Sequence, residues 1–131
     1  MTTSATIPLL LVEDDPMYAA ILKRLIPTLE QDVTFAIKWV DTAAKARAEL
    51  ANQVYDLVLL DYRLPGEDGL EVLADIRQIA RERQPAVIML TGMGSEAIAV
   101  QAMKSGAADY LAKDQTDVAS LTRAITGSLQ R

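Results

Sequence analysis

The most constraining feature of this chain is a set of short, unbroken aliphatic runs, each closed by a polar residue. Leu9-Leu10-Leu11-Val12 leads into Glu13, Asp14 and Asp15, and Leu57-Val58-Leu59-Leu60 into Asp61. Val87-Ile88-Met89-Leu90 leads into Thr91, and Tyr110-Leu111-Ala112 into Lys113. Continuous apolar runs of this length fit strands buried on both faces, as in a parallel sheet covered by helices. In such a sheet all strands end at one edge, so the acids, the hydroxyl and the ammonium emerge together, at the edge where ligands and chemistry gather.

The segments between the runs have helical period. Asp15-Pro16 reads as a helix start, since aspartate caps free N–H groups and proline is tolerated in the first turn. Tyr18, Ile21, Leu22, Leu25 and Leu29 follow at helical spacing, and Pro27 ends or distorts that helix. From Val33 to Val40 the pattern alternates, with Phe35, Ile37 and Trp39 on one side and Thr34 and Lys38 on the other, which predicts an edge strand with one face partly wet. Asp41 or Thr42 caps a second helix with Ala43, Ala46 and Leu50 inward. Residues 63–69, with Pro65, Gly66 and Gly69, read as a loop. Leu73, Ile76 and Ala80 mark a third helix. Ser95 caps a fourth, Glu96 to Ser105, which Gly106 ends. That helix is alanine-rich, with Ile98, Val100 and Met103 as its larger anchors, and is expected to be loosely held. Asp109 to Ala112 is a last strand, and Thr116 or Asp117 caps a last helix carrying Val118, Leu121, Ile125 and Leu129. Five strands alternating with five helices predict an α/β, doubly wound (βα)5 sandwich of flavodoxin-like order 2-1-3-4-5 with helices on both faces.

The 131 residues suit a single domain, with a core over 7–129 and a flexible start over 1–6. A chain this long buries roughly 68% of its unfolded surface and needs no staples. It has no cysteine and no histidine, which excludes disulfides, thiolate metal sites, cysteine nucleophiles and histidine general-base chemistry. A net charge of −5 without a basic cluster argues against direct nucleic-acid binding. No apolar run approaches the ~20 residues of a membrane span, and the first residues lack the pattern of a signal peptide. The expected setting is cytoplasmic.

Order 2-1-3-4-5 sets the first and third strands side by side, so Asp14, Asp15 and Asp61 come within reach of one another. Magnesium takes hard oxygen ligands of this kind. Without a cation they repel, by roughly 4 kcal/mol for unit charges 4 Å apart at an effective dielectric near 20. An aspartate at the tip of a buried strand, facing other acids, is a poor choice for stability and marks a functional site. A carboxylate there can attack phosphorus to give an acyl phosphate. Thr91, next to Gly92, would hydrogen-bond a phosphoryl oxygen, and Lys113 would pair with its charge. Each residue also has a plainer reading. Asp15 can be a helix cap, Glu13 and Asp14 solvated charges, and Asp61 and Thr91 turn formers. Lys113 can be a surface lysine and Tyr110 strand packing.

Taken together, Leu11-Val12-Glu13-Asp14-Asp15, Tyr55-Asp56-Leu57-Val58-Leu59-Leu60-Asp61, Leu64-Pro65-Gly66-Glu67-Asp68-Gly69, Leu90-Thr91-Gly92, Gly106-Ala107-Ala108-Asp109-Tyr110-Leu111 and Lys113 resemble, in order and spacing, the receiver domain of two-component response regulators, over about Ile7 to Leu129. The likeness is to single-domain receivers of the chemotaxis-regulator type. The resemblance implies that Asp61 is the phosphoacceptor, and that Asp14, Asp15, Asp61 and the backbone carbonyl of Arg63 hold Mg2+ or Mn2+. It implies that Thr91 and Lys113 contact the phosphoryl group and that Tyr110 changes rotamer with Thr91. Arg63 and Met93 flank the site and are expected to tune the lifetime of the acyl phosphate. The implied donor is a histidine kinase or histidine phosphotransfer protein. The implied output is a downstream protein or a self-dimer, bound through the fourth helix, fifth strand and fifth helix. Such a domain catalyses only its own phosphorylation and dephosphorylation. One departure stands out: the family usually has proline after the lysine, often behind a cis peptide bond, and here Asp114 follows Lys113.

Other classes fit less well. A haloacid-dehalogenase-like phosphatase needs a second aspartate two residues after the first, where this chain has Arg63. A flavin binder of the same fold needs a glycine- and hydroxyl-rich phosphate loop after the first strand, where Glu13, Asp14 and Asp15 would repel a phosphate. A pseudo-receiver would lack part of the site. A receiver belonging to a larger regulator with a DNA-binding or enzymatic output domain is the alternative within the family.

Overall fold

The computed structural model describes residues 5–29, 33–80, 83–92 and 96–130. Strand β1 runs Ala5–Val12, so Ala5 and Thr6, expected to be frayed, pair in parallel with Val33 and Thr34. Helix α1 (Pro16–Leu25) opens with Asp15 as N-cap, its carboxylate accepting from Met17 N, and gives way to a 3-10 turn over Ile26–Thr28 at Pro27. Strand β2 is Val33–Val40, and α2, Ala43–Asn52, is capped by Thr42. Asp41 pairs instead with Lys45 one turn on, at 3.0 Å. Then follow β3 (Leu57–Asp61), α3 (Gly69–Ile79), β4 (Ala86–Thr91), α4 (Glu96–Lys104), β5 (Asp109–Ala112) and α5 (Val118–Leu129). The sheet order is β2-β1-β3-β4-β5 with every pairing parallel, the doubly wound order the alternation implied.

The period of two along the strands divides the core. Leu10, Val12, Val58, Leu60, Val87 and Met89 face α2 and α3, whose Ala46, Leu50, Val72, Leu73 and Ile76 close that side. Leu9, Leu11, Leu57, Leu59, Ile88 and Leu90 face α1 and α5, against Leu22, Ile26, Leu121 and Ile125. From Leu9, Leu57 and Ala86 onward the three central strands therefore carry no polar residue until their tips, which is why the polar residues cluster there.

Four details differ from the expected pattern. Residues 63–69 are more than a loop: Arg63–Leu64 pairs antiparallel with Glu67–Asp68 across the Pro65-Gly66 turn, and Asp68 caps α3 by accepting from Glu71 N. Gly69 is required where α3 meets the end of β3, since a Cβ there would lie 2.7 Å from the Asp61 carbonyl oxygen. Ala80 ends α3 rather than packing within it, and Gln84 Nε2 donates to Arg77 O and Ala80 O at that end. On α4 the buried residues are Ala99 and Ala102, while Val100 is 53% and Met103 40% exposed. Of the three larger side chains Ile98 is half-buried and the other two lie exposed, so the helix is seated on the sheet chiefly through two methyl groups. Val118 likewise lies exposed at the start of α5, where Asp117 and Ser120 form a reciprocal capping box. Gly106, at φ +107°, ends α4 as its sequence predicts. Ser95 and Met93 fall outside the described residues. Among the described residues no helix is long and apolar enough to cross a membrane.

Candidate functional site

The tips of β1, β3, β4 and β5 converge as expected. Asp61 ends β3 and is 3% exposed. Its Oδ2 accepts from Lys113 Nζ at 3.0 Å and its Oδ1 from Arg63 N at 3.2 Å. Lys113 Nζ also lies 2.7 Å from Glu13 Oε1, a charge contact without the alignment of a directed hydrogen bond. Glu13 is fully buried. Its backbone is fixed on two sides, by Glu13 N donating to Val40 O and Trp39 Nε1 donating to Glu13 O at 2.8 Å. Its Oε2 accepts from Asp15 N at 3.0 Å.

The carboxylates brought together are those of Glu13, Asp14 and Asp61, each offering an oxygen within 4.8 Å of the others. Asp15, expected to join Asp14 in the metal set, is turned away: its carboxylate is engaged at the N-terminus of α1. The reason is local. Residue 15 must adopt an extended N-cap conformation for Pro16 to start the helix, which aims its side chain at Met17 N. Residue 13 is the last position held by β1 and β2, and its side chain is directed inward. The plain reading of Asp15 as a cap thus holds, and the reading of Glu13 as a solvated charge does not. The available signal was position, since Glu13 directly continues a buried strand.

Thr91, 2% exposed at the tip of β4, donates to Leu111 O over a long 3.4 Å, so its hydroxyl is only weakly engaged. Tyr110, on β5, is 45% exposed. Arg63 lies two residues beyond the end of β3, and its N–H is the donor to the Asp61 carboxylate. Behind this turn Arg47 of α2 grips Glu67 in a two-pronged pair at 2.8 and 2.9 Å and reaches Asp75 of α3 at 2.7 Å. Sequence reading missed this clamp, because its partners lie 20 and 28 residues away. No peptide bond among the described residues is cis, so Lys113-Asp114 is trans, within a 3-10 turn over Lys113–Gln115.

Burial, followed by the nearby Glu13, pushes the Asp61 carboxyl up to about 7, against the opposing pull of Lys113. For Lys113, burial disfavours the charge, but Glu13 and Asp61 outweigh it and raise the ammonium above its ordinary value. Once Asp61 is ionised as well, three carboxylates against one ammonium leave two negative charges unbalanced. An all-oxygen donor set with that charge fits a hard divalent cation such as magnesium or manganese.

The comparisons agree with this geometry. Residues 9–126 match the response regulator receiver domain, and the chain belongs to that family. It is 38% identical over 104 residues to the transcriptional regulatory protein ResD of Bacillus subtilis, covering 79% of this chain and 41% of ResD. It is 36% identical over 117 residues to the photosynthetic apparatus regulatory protein RegA of Rhodobacter capsulatus, covering 89% of this chain and 60% of RegA. The chain therefore spans less than two thirds of these relatives. Among solved structures, a receiver domain protein from Clostridium thermocellum superposes with a TM-score of 0.82 at 25% identity, covering 95% of both chains. The receiver domain of a Pseudomonas aeruginosa sensor histidine kinase, with magnesium coordinated in its active-site cleft, does so with a TM-score of 0.81 at 28% identity. That match covers 97% of this chain and 100% of the other.

Proposed function

We propose that this receiver takes a phosphoryl group from phosphohistidine onto Asp61 and signals by the change that follows. The observation that carries the reading is a nearly buried Asp61 held by Lys113 at 3.0 Å beside two further carboxylates. An Asp61 oxygen attacks phosphorus, the P–N bond breaks, and its electron pair leaves with the imidazole, which keeps its remaining N–H or takes up a proton from water. The product is an acyl phosphate. Lys113 pairs with one phosphoryl oxygen and the weakly engaged Thr91 hydroxyl turns to donate to another. Asp14, Asp61, Glu13 and the Arg63 carbonyl would hold Mg2+ or Mn2+, with Asp15 serving the turn as its cap. When bound, the cation neutralises charge that develops on the transferring group. The donor is a histidine kinase or a histidine phosphotransfer protein.

A phosphoryl group adds roughly −1.5 to −2 charges. Two charge-assisted hydrogen bonds, from Thr91 and Lys113, are worth about 3–6 kcal/mol together. Moving an equilibrium from 1:99 to 99:1 takes ~5.5 kcal/mol. The site is thus strong enough to shift the thinly anchored α4 and the neighbouring β5 and α5, with Tyr110 following Thr91. That face would bind a downstream protein or a second copy. A second reading, in which the domain controls an output domain in a longer regulator, is favoured by the share of ResD and RegA that lies outside the match.

The test is incubation with magnesium and acetyl phosphate, followed by intact-mass measurement. The expected result is a single added phosphoryl group that is absent in Asp61→Asn. Unchanged labelling of that variant would overturn the assignment.

A further inference from the structure

Lys113 carries its charge on a flexible stem with three rotatable donors, and it starts a short 3-10 turn with no proline to stiffen it. Something else must aim it. Tyr18, on α1 and only 8% exposed, is the residue in place to do so. Its ring centroid lies 5.0 Å from Lys113 Nζ, within range of a cation–π contact. Its hydroxyl lies 2.7 Å from Thr116 Oγ1.

The direction of this last bond follows from proton counting. Thr116 Oγ1 donates to Ala112 O at 2.9 Å and has one proton, so it must accept from Tyr18. The phenol therefore starts a relay, Tyr18 to Thr116 to the Ala112 carbonyl, that ties the backbone before Lys113 to the backbone after it. The same residue closes the turn from outside and limits the ammonium from one side, with Glu13 and Asp61 on the other. A tyrosine that merely filled the space between α1 and α5 would need neither contact.

We propose that Tyr18 is a positioning residue for Lys113: the hydroxyl relay through Thr116 sets the turn, and the ring confines the ammonium to the carboxylates. The inference rests on the reading of Asp61 as phosphoacceptor for its functional consequence, but not for the contact itself.

The test is a double-mutant cycle on the full chain. It takes the initial rate of acetyl phosphate labelling at saturating magnesium in the wild type, Tyr18→Leu, Lys113→Met and the double variant. Tyr18→Leu is expected to lower the rate roughly tenfold when Lys113 is present, well inside the ~100-fold that a 1 Å misplacement can cost. It is expected to leave the rate unchanged when Lys113 is replaced. Tyr18→Phe keeps the ring and loses the relay, so it should fall between, at about threefold by the same reasoning. It decides the question if Tyr18→Leu does not fold. Equal effects with and without Lys113, or no effect, would reduce Tyr18 to packing. A second measurement is independent of phosphorylation: the Lys113 ε-methylene protons should be shifted upfield by the ring, and that shift should vanish in Tyr18→Leu. A wild type that takes no phosphoryl group but keeps the ring shift would fail the Asp61 reading and leave the positioning contact standing. Absence of the shift would overturn the contact.

Discussion

Replacing Asp61 by asparagine should stabilise the domain in the absence of divalent cations. Asp61 titrates near 7 in the fold against an ordinary value of 3.8, because burial and Glu13 disfavour its charge. At about 1.36 kcal/mol per pKa unit, the ionised carboxylate costs on the order of 4 kcal/mol above pH 7. That cost already includes the pull of Lys113, so asparagine removes it whole; against it stands an amide donor left facing Lys113 Nζ or Arg63 N, a mismatch of about 1–3 kcal/mol, and a net gain of about 2 kcal/mol is expected. In a chain of this length that corresponds to roughly 6–10 °C in Tm. The pH dependence fixes the cause. A carboxylate with a raised folded pKa is fully stable below its unfolded pKa, and stability is lost as pH rises from 3.8 toward 7. The advantage of asparagine should therefore be full at pH 8 and reversed at pH 4, where the carboxyl is neutral in the fold and only the amide mismatch remains. Thermal unfolding in EDTA, at both pH values, measures it. Adding magnesium should raise the Tm of the wild type and narrow the gap, since a cation that binds only the fold stabilises it. A variant no more stable than the wild type at pH 8 in EDTA would refute the electrostatic account of this site.

Three other outcomes follow from the same geometry. Trp39, the only tryptophan, donates to the Glu13 carbonyl, so its emission should change saturably on titration with magnesium and return with EDTA; a silent titration in Asp14→Asn ties the signal to the cluster. Arg47→Ala should lower the urea midpoint by an amount equivalent to about 1 kcal/mol, the exposed share of the clamp limiting its worth, and Arg47→Lys should recover little because a single ammonium cannot form the two-pronged pair. Gly69→Ala forces a methyl against the Asp61 backbone and should cost more than 2 kcal/mol by chemical unfolding, beyond the range of an ordinary surface change.

The topology was legible because the strands are so uniform. Runs such as Leu57 to Leu60 admit no amphipathic reading, and their alternation with helical segments leaves few sheet orders open. The convergence of Asp14, Asp61, Thr91 and Lys113 followed from topology alone. The exchange of roles between Glu13 and Asp15 was harder to see, because three consecutive acids differ only in where the strand stops holding the backbone. The seat of α4 is illegible for a different reason: side-chain bulk points to Val100 and Met103 as anchors, whereas the buried positions are Ala99 and Ala102, where alanine carries no periodic signal of its own. Contacts such as Tyr18 with Thr116, separated by 98 residues, leave no trace in local pattern.

The seat of α4 has a mechanical consequence. The helix's two buried side chains are methyl groups, a smooth bearing with only the half-buried Ile98 branch beside them to withdraw when the helix slides. Amide exchange along residues 96–104 should accordingly be faster than along α1 or α5, whose leucines and isoleucines are keyed into the sheet. Enlarging Ala99 or Ala102 would turn that bearing into a latch, at the cost of crowding a close-packed seam.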